Sequence, residues 1–334
     1  MTEVLTSKHL YLNGITGFPD KKEYAPQIIY TSEMEEHTEK DSHYTGLNVH
    51  NGQRKLLVSE VQLLTRVYDS IPKTTPLLCV YAGAFPCLHL TQLLVNFPHT
   101  FFLLIDPAFQ PTNHLHVWPG DRVVLCKSFF DVDEANAVKN WVKDSQANHI
   151  HRALNQLKLP YGMNHNNNLV FISDVRRDAV NRYIIDEEMT EQAMWFHTMD
   201  AKAGLVKFRL PYGDATFMEE YADRGYKYDY MKGIVYLPIW GRKSTTECRL
   251  YVERGCGNDT YYPIELEKSM AGFNTTNRCA RFSVNRKTYK SFDEAAETLV
   301  LYQYSYTMGR EWKWWDWPHP PVLSEICPYA FCIN

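Results

Sequence analysis

Four short apolar segments constrain the fold of this 334-residue chain more than any other feature of its sequence. They read LLCVYAG at 77–83, TFFLLID at 100–106, RVVLC at 122–126 and NLVFISD at 168–174. Helix-like stretches separate them. Segments that are apolar throughout, rather than at alternate positions, are typical of parallel strands buried on both faces. The pattern therefore predicts an α/β fold in which helices cover both faces of a mostly parallel sheet.

Three further strands are predicted by AGLVKFRLPY, KGIVYLPIW and TECRLYVE, which have no long helices between them and indicate an antiparallel edge. An apolar stripe over 56–68, ended by Pro72, predicts a helix before the first strand, and 133–157 predicts one after the third. The polar stretch 1–50 is interpreted as an N-terminal arm, 51–300 as one domain and 301–334 as a Trp-rich C-terminal extension.

The net charge of −4 means that any binding of nucleic acid must come from a local basic patch rather than from an overall field. Candidate patches are Arg176-Arg177, Lys207 with Arg209, Arg242-Lys243, and Arg278, Arg281, Arg286 and Lys287. The eight cysteines form no CxxC motif, which predicts free thiols in a reducing compartment and no metal site. No signal peptide or membrane-length apolar run is present, so we expect a cytosolic or nuclear protein that does not enter a membrane.

Ligands of such sheets bind beyond the carboxyl ends of the strands. There, the turn YAGAFP and Asp106 are typical of a site for a nucleotide or for S-adenosylmethionine. Asp174, Lys207 and Glu247 lie on or next to later strands, and Lys55 lies on the preceding helix. Spacing alone leaves two interpretations open for these charged residues, a catalytic cluster and ordinary ion pairs. An NAD or nucleotide-sugar enzyme on the same fold is a further alternative, but it does not account for Lys207.

Eight motifs in order give the chain a resemblance to a known family. They are GQRKLL at 52–57, VYAGAFPCLHL at 80–90, LIDP at 104–107, KSFF at 127–130, ISDVR at 172–176, LVKFRLPYGD at 205–214, TTECRL at 245–250 and LEKSMAGFN at 266–274. In these motifs the chain resembles the poxvirus mRNA cap 2′-O-methyltransferases, which are also processivity subunits of the viral poly(A) polymerase. The resemblance implies a Rossmann-like methyltransferase domain at 51–300 that uses S-adenosyl-L-methionine. It also implies a protein of a large DNA virus, in the host cytoplasm or packaged in the virion.

The reaction that this resemblance implies is methylation of the ribose 2′-hydroxyl of the first transcribed nucleotide of m7G-capped mRNA, without a metal. The implied catalytic residues are Lys55, Asp174, Lys207 and Glu247, with Lys207 as the base or orienting group for the hydroxyl. The implied cofactor-binding residues are Gln53, Tyr81, Gly83, Pro86, Asp106, Phe129, Phe130 and Asp174. The implied cap-binding residues are Tyr24, Tyr212, Asp214 and Glu267.

The chain departs from the family in the turn after the first strand, where Cys87 replaces a glycine, and at Pro107-Ala108, where an arginine is absent. A cysteine there would be strained if the position requires a positive φ. This keeps a second hypothesis open, a non-catalytic RNA-binding processivity subunit that joins a poly(A) polymerase catalytic subunit, and both roles can coexist in one chain. We expect an active enzyme, because the four polar catalytic positions are intact. The Trp-rich segment 309–321 is expected to pack on the core or to dock a partner subunit rather than to stack on RNA.

Overall fold

The computed structural model describes residues 47–109, 118–160, 163, 165–177, 181–211, 227–236, 239–241, 245–272, 274 and 292–313. Its helices are α1 (Leu47–Asp69), α2 (Leu90–Asn96), α3 (Val132–Lys139), α4 (His149–Leu154), α5 (Arg182–Met199), α6 (Pro263–Gly272) and α7 (Phe292–Met308), with a 3₁₀ turn at His165–Asn168. Its strands are β1 (Leu77–Ala82), β2 (Thr100–Ile105), β3 (Val123–Cys126), β4 (Leu169–Ser173), β5 (Ala203–Phe208), β6 (Tyr228–Met231), β7 (Ile234–Tyr236), β8 (Cys248–Glu253) and β9 (Asn258–Tyr261).

Seven strands form one sheet in the order β3-β2-β1-β4-β5-β8-β7. Strands β1 to β5 are parallel to one another, and β8 runs antiparallel between β5 and β7. The predicted Rossmann-like fold, a mostly parallel sheet with an antiparallel edge and helices on both faces, is confirmed. Strand order reverses between β1 and β4, so their carboxyl ends open a crevice of the kind in which ligands bind on this fold.

Strands β1, β2, β4 and β5, which were predicted from apolar segments, are buried along their length, as expected for strands covered on both faces. The stripe over 56–68 lies on α1, as predicted. The single helix predicted over 133–157 is wrong, because the chain forms α3 and α4 with Asn140 as the C-cap of α3 and Asp144 at φ 66° between them. The small sheet formed by β6 and β9 was not predicted, since each strand has only four residues.

Helix α7 crosses residue 300, where the domain was predicted to end, and packs along α1. Its Glu297 accepts hydrogen bonds from Arg54 on α1, and its Tyr304 donates one to the backbone carbonyl of Asn96 at 2.9 Å. The start of the C-terminal extension therefore belongs to the helical layer over the sheet.

Five of the eight cysteines lie in the described part of the chain, and all five are free thiols, as predicted. Burial raises the pKa of the thiol in each of them, which favours the neutral form. None of the described helices combines the length and the apolar character that a membrane span requires.

Candidate active site

The turn after β1 brings the chain close to the end of β4. Gly83 has φ +72°, and a Cβ added there would lie 2.7 Å from the backbone nitrogen of Val175. This position therefore requires glycine both for its φ and for the space beside it. Further along the turn, Cys87 is buried at φ 48°, so the strain expected for a side chain at this position is present.

Two side chains hold this turn by accepting hydrogen bonds from its backbone. Asp106 at the end of β2 accepts from the Phe85 amide at 3.1 Å and from the Ala108 amide at 2.8 Å. Gln53 on α1 accepts from the Leu88 amide at 2.8 Å, directly after the strained Cys87. Both residues were predicted at the cofactor site, and both contact the turn that follows β1.

The four predicted catalytic residues come from four separate segments and meet in one cluster. Lys207 Nζ on β5 lies 2.9 Å from Asp174 Oδ1, 3.1 Å from the Asp174 carbonyl oxygen and 3.9 Å from Glu247 Oε2. Lys55 Nζ on α1 lies 3.3 Å from Glu247 Oε1. Asp174 follows β4 and Glu247 precedes β8, so the cluster lies at the carboxyl edge of the parallel strands. Such an edge is where this fold places catalytic groups.

Two arginines complete the cluster and were not predicted as part of it. Arg249 on β8 donates hydrogen bonds to Asp174 Oδ1 and to Glu247 Oε1, the latter at 3.1 Å. Its Cα pairs with that of Lys207 across the antiparallel ladder. The available signal was the Glu-Cys-Arg spacing, which places Glu247 and Arg249 on the same face of a strand.

Arg176 also belongs to this network. Its Nη1 lies 2.6 Å from Glu188 Oε2, and its Nη2 lies 3.3 Å from Glu247 Oε2. Arg177 contacts the carboxylates of Glu187, Glu188 and Glu191 on α5. Both arginines of this candidate patch therefore act as counter-ions, and contact of this patch with RNA stays a prediction. The basic positions 242, 243, 278, 281, 286 and 287 lie outside the described residues.

The electrostatics of the cluster keep both acids ionised. Burial alone would raise the pKa of Asp174, but Arg249, followed by Lys207, holds it below its usual value. The pKa of Glu247 is well below its usual value, because Lys207, Lys55 and Arg249 outweigh the effect of its burial. Burial lowers the pKa of Lys55 although Glu247 opposes this. A depressed lysine pKa brings the neutral amine closer to physiological pH, which proton acceptance requires.

The remaining predicted cofactor residues differ in their exposure to solvent and in their packing. Phe129, after β3, has an exposed fraction of 74 % and offers an open aromatic face. Phe130 packs in the core against Phe171 and Trp195, with ring centroids 5.8 and 5.2 Å apart. Its predicted contact with a cofactor stays a prediction. Tyr81 is buried in β1, and Pro86 is half-buried in the turn.

Of the predicted cap-binding residues, Tyr24, Tyr212 and Asp214 lie outside the described residues. Glu267 is half-buried on α6. That helix contacts the start of β8 through Met270 Sδ, which lies 3.1 Å from Cys248 Sγ, next to Glu247 in the chain. The structure thus places Glu267 on a helix adjoining the cluster, and its role in cap binding stays a prediction.

No family model and no curated protein sequence matches the chain. Among solved structures, human methyltransferase-like protein 13 in complex with SAH is similar, with a TM-score of 0.33 and 11% identity, covering 83% of this chain and 99% of that one. The structure of an antibiotic related methyltransferase is also similar, with a TM-score of 0.25 and 11% identity, covering 60% of this chain and 92% of that one.

Proposed function

We propose that this protein is an S-adenosyl-L-methionine-dependent methyltransferase that acts on the ribose 2′-hydroxyl of the first transcribed nucleotide of m7G-capped mRNA. The observation that carries the proposal is the convergence of Lys55, Asp174, Lys207 and Glu247. These residues come from α1, the end of β4, β5 and the start of β8. Burying four charged groups at one point is costly in free energy, and active sites are where proteins accept that cost.

The residues at the crevice between β1 and β4 fit the methyl donor. Asp106 receives two backbone amides, and each carboxylate oxygen keeps a second lone pair with which it can accept from ribose hydroxyls. The open ring of Phe129 would stack on an adenine, and the turn from Gly83 to Leu88 would bind the amino-acid part. When bound, S-adenosyl-L-methionine supplies a methyl group that is already activated by its positive sulfonium.

The chain's own residues orient the acceptor hydroxyl and take its proton. Asp174 offers Lys207 both its carboxylate and its carbonyl oxygen, which fixes the direction of the Nζ atom. A 2′-hydroxyl placed against this nitrogen would be oriented by it and would pass its proton to it as the methyl group is transferred. Lys55 and Arg249 share the carboxylate of Glu247 with Lys207. Positioning of this kind lowers the barrier without further chemical assistance.

Capped RNA as substrate rests on the family resemblance. Tyr24 and Tyr212 would sandwich the methylated guanine, and Asp214 and Glu267 would bind its edge. A cationic base between aromatic rings gains roughly 1–2 kcal/mol when it is desolvated. The position of Glu267 on α6, next to the start of β8, supports a cap site adjoining the charge cluster.

Replacement of the lysine on β5 tests the catalytic assignment. We expect Lys207→Ala to reduce methyl transfer to m7G-capped RNA by about 100-fold or more, because a positioned base contributes that much. Binding of a methylated cap analogue should be retained. Lys202→Ala is the matched control. Lys202 is half-buried directly before the first residue of β5, at the other end of the strand from Lys207. Unchanged methyl transfer by Lys207→Ala would show that this lysine is not the base.

The alternative, a non-catalytic RNA-binding subunit of a poly(A) polymerase, is favoured by the strained Cys87 in the turn. Calorimetric titration with S-adenosylhomocysteine separates the two functions. We expect micromolar binding for a methyltransferase, whereas no binding at millimolar ligand would leave only the RNA-binding function. A partner polymerase would be detected by co-purification with its catalytic subunit, and binding to that subunit is compatible with either outcome.

A further inference from the structure

Behind the turn after β1 lies a chain of three polar side chains, two of which, Glu60 and His89, are buried and have no part in the proposed reaction. Gln53 and Glu60 lie seven residues apart on α1, and therefore on the same face of the helix. His89, directly before α2, lies between them. Its Nδ1 is 2.9 Å from Gln53 Oε1, and its Nε2 is 2.7 Å from Glu60 Oε2. Glu60 and His89 have exposed fractions of 0% and 2%.

The hydrogen-bond directions in this chain follow from one fixed donor. The backbone amide of Leu88 can only donate, so the Gln53 atom 2.8 Å from it is the amide oxygen. An amide oxygen only accepts, which means that the Nδ1 of His89 carries a proton. One further proton then lies between Nε2 and Glu60 Oε2, whichever of the two atoms it is bonded to. The pair is thus neutral as a whole, as its burial requires.

The same oxygen of Gln53 therefore joins the buried pair to the turn. It holds the Leu88 amide, next to Cys87, whose backbone is in the left-handed region at φ 48°. A side chain in that region persists only when its surroundings hold it there. Glu60 Oε1 is buried without a hydrogen-bond partner in the described part of the chain, so Glu60 gains little from this arrangement beyond its contact with His89.

We propose that Glu60 and His89 are positioning residues, which orient Gln53 against the turn after β1 and so set the affinity of the methyl-donor site. The proposal rests on the proposed function, because that function places the donor on this turn. It accounts for how the chain accommodates Cys87, because hydrogen bonds that run from Glu60 through His89 to Gln53 stabilise the strained turn.

Three variants separate positioning from stability. Glu60→Gln keeps a polar partner for Nε2 and should change the dissociation constant of S-adenosylhomocysteine by less than about threefold. Glu60→Leu leaves Nε2 without a partner and should weaken binding roughly tenfold or more. The double variant Glu60→Leu with His89→Leu removes the buried polar pair altogether. It should regain thermal stability relative to Glu60→Leu, yet still bind about tenfold more weakly than wild type.

Tyr304→Phe is the matched control for a buried hydrogen bond, because Tyr304 is fully buried and bonds Asn96, at the end of α2 opposite the turn. We expect it to lower the melting temperature without changing the dissociation constant. Calorimetry on the full chain measures affinity, and a thermal melt of each variant measures stability. Wild-type affinity in the double variant would overturn the proposal.

Hydrogen exchange of the Leu88 amide tests the same chain without any ligand. Exchange should be faster in Glu60→Leu and in the double variant than in wild type, and unchanged in Glu60→Gln. If the wild type does not bind S-adenosylhomocysteine, the proposed function fails, and the affinity claim made for the pair fails with it. If the wild type binds but the Leu88 amide exchanges equally in all variants, only the positioning role fails.

Discussion

Arg249 makes it possible for two carboxylates to lie close together in the cluster. Asp174 and Glu247 would repel each other without a shared cation, and Arg249 donates to both. Burial alone would lower the pKa of Arg249, but Asp174 and then Glu247 raise it above the usual value, so it is charged at every accessible pH. Its planar guanidinium donates to both carboxylates from a fixed fork of N–H groups, a geometry that a lysine at the same position would not reproduce.

Removal of the Arg249 side chain should therefore destabilise the folded protein strongly. We expect Arg249→Leu to lower the free energy of unfolding by about 3 kcal/mol or more, because it leaves two buried carboxylates undercompensated. Arg249→Lys should recover only part of the loss. Denaturant unfolding at pH 7 measures both. Arg254→Leu is the control, since Arg254 forms an exposed pair with Asp200 at 3.3 Å and should cost about 1 kcal/mol or less. Equal losses for the two leucine variants would contradict the role given to Arg249.

The contacts of Arg249 also show which details of the site cannot be predicted from single residues. Lys207 and Asp174 could be placed at one edge of the sheet, because both follow from apolar segments of clear strand type. The contact of Arg249 with Asp174 depends on β8 lying antiparallel beside β5, in the register that pairs Lys207 with Arg249. Register is fixed by packing across the sheet and cannot be deduced from a single strand.

At the scale of elements, two backbone positions with positive φ, Gly83 and Cys87, set the turn between β1 and α2. Gly83 and Gly255, the latter outside this turn, have almost the same φ, +72° and +73°. A Cβ at Gly83 would meet the end of β4, whereas a Cβ at Gly255 would have no atom of the described residues within 4 Å. The two glycines therefore allow the cost of the backbone conformation to be separated from the cost of close approach.

We expect Gly83→Ala to be far more harmful than Gly255→Ala. Both pay about 1 kcal/mol for the left-handed conformation. In Gly83→Ala the new Cβ also meets the Val175 nitrogen at 2.7 Å and the Asp174 carbonyl carbon at 2.8 Å, so the end of β4 must shift. That shift should lower stability by a further ~1–3 kcal/mol. It should also reduce methyl transfer, because it moves Asp174. Thermal melts and activity assays of the two variants test this, and equal effects would contradict it.

Elements were predicted well where the apolar pattern is continuous and poorly where it is short. All of β1 to β5 carry buried apolar runs. By contrast, β6 and β9 read YDYM and NDTY, which local pattern does not distinguish from loop. The break between α3 and α4 was missed because the apolar spacing continues through it. A capping box in which Asp131 and Glu134 fix the start of α3 gave no information about where that helix ends.

At the scale of the molecule, α1 and α7, the first and last helices of the described chain, are joined beside the charge cluster. Arg54 stacks on Trp240, with its Cζ 3.8 Å from the ring centroid, and forms a buried ion pair with Glu297 on α7. Arg54 directly precedes Lys55 and follows Gln53. The C-terminal helix therefore holds the part of α1 that carries both the proposed catalytic Lys55 and the turn-binding Gln53.

The charge cluster should also determine how the whole molecule responds to acid. The pKa values of Asp174 and Glu247 are lower in the folded chain than their usual 3.8 and 4.5. The unfolded chain therefore binds these protons first, so their contribution to stability is fully present above about pH 5 and is lost as pH falls through the folded-state pKa values.

We expect Glu247→Gln to flatten this acid dependence. Glu247 adds up to about 1.4 kcal/mol per pH unit to the slope below its unfolded-state pKa, and glutamine adds none. The variant should be less stable than wild type at pH 7 but should lose less free energy of unfolding between pH 5 and pH 3. Urea titrations across that range measure the slope. Glu187→Gln removes a carboxylate that is 59% exposed and should leave the slope within error of wild type. An unchanged slope in Glu247→Gln would mean that acid unfolding is governed by carboxylates outside the cluster.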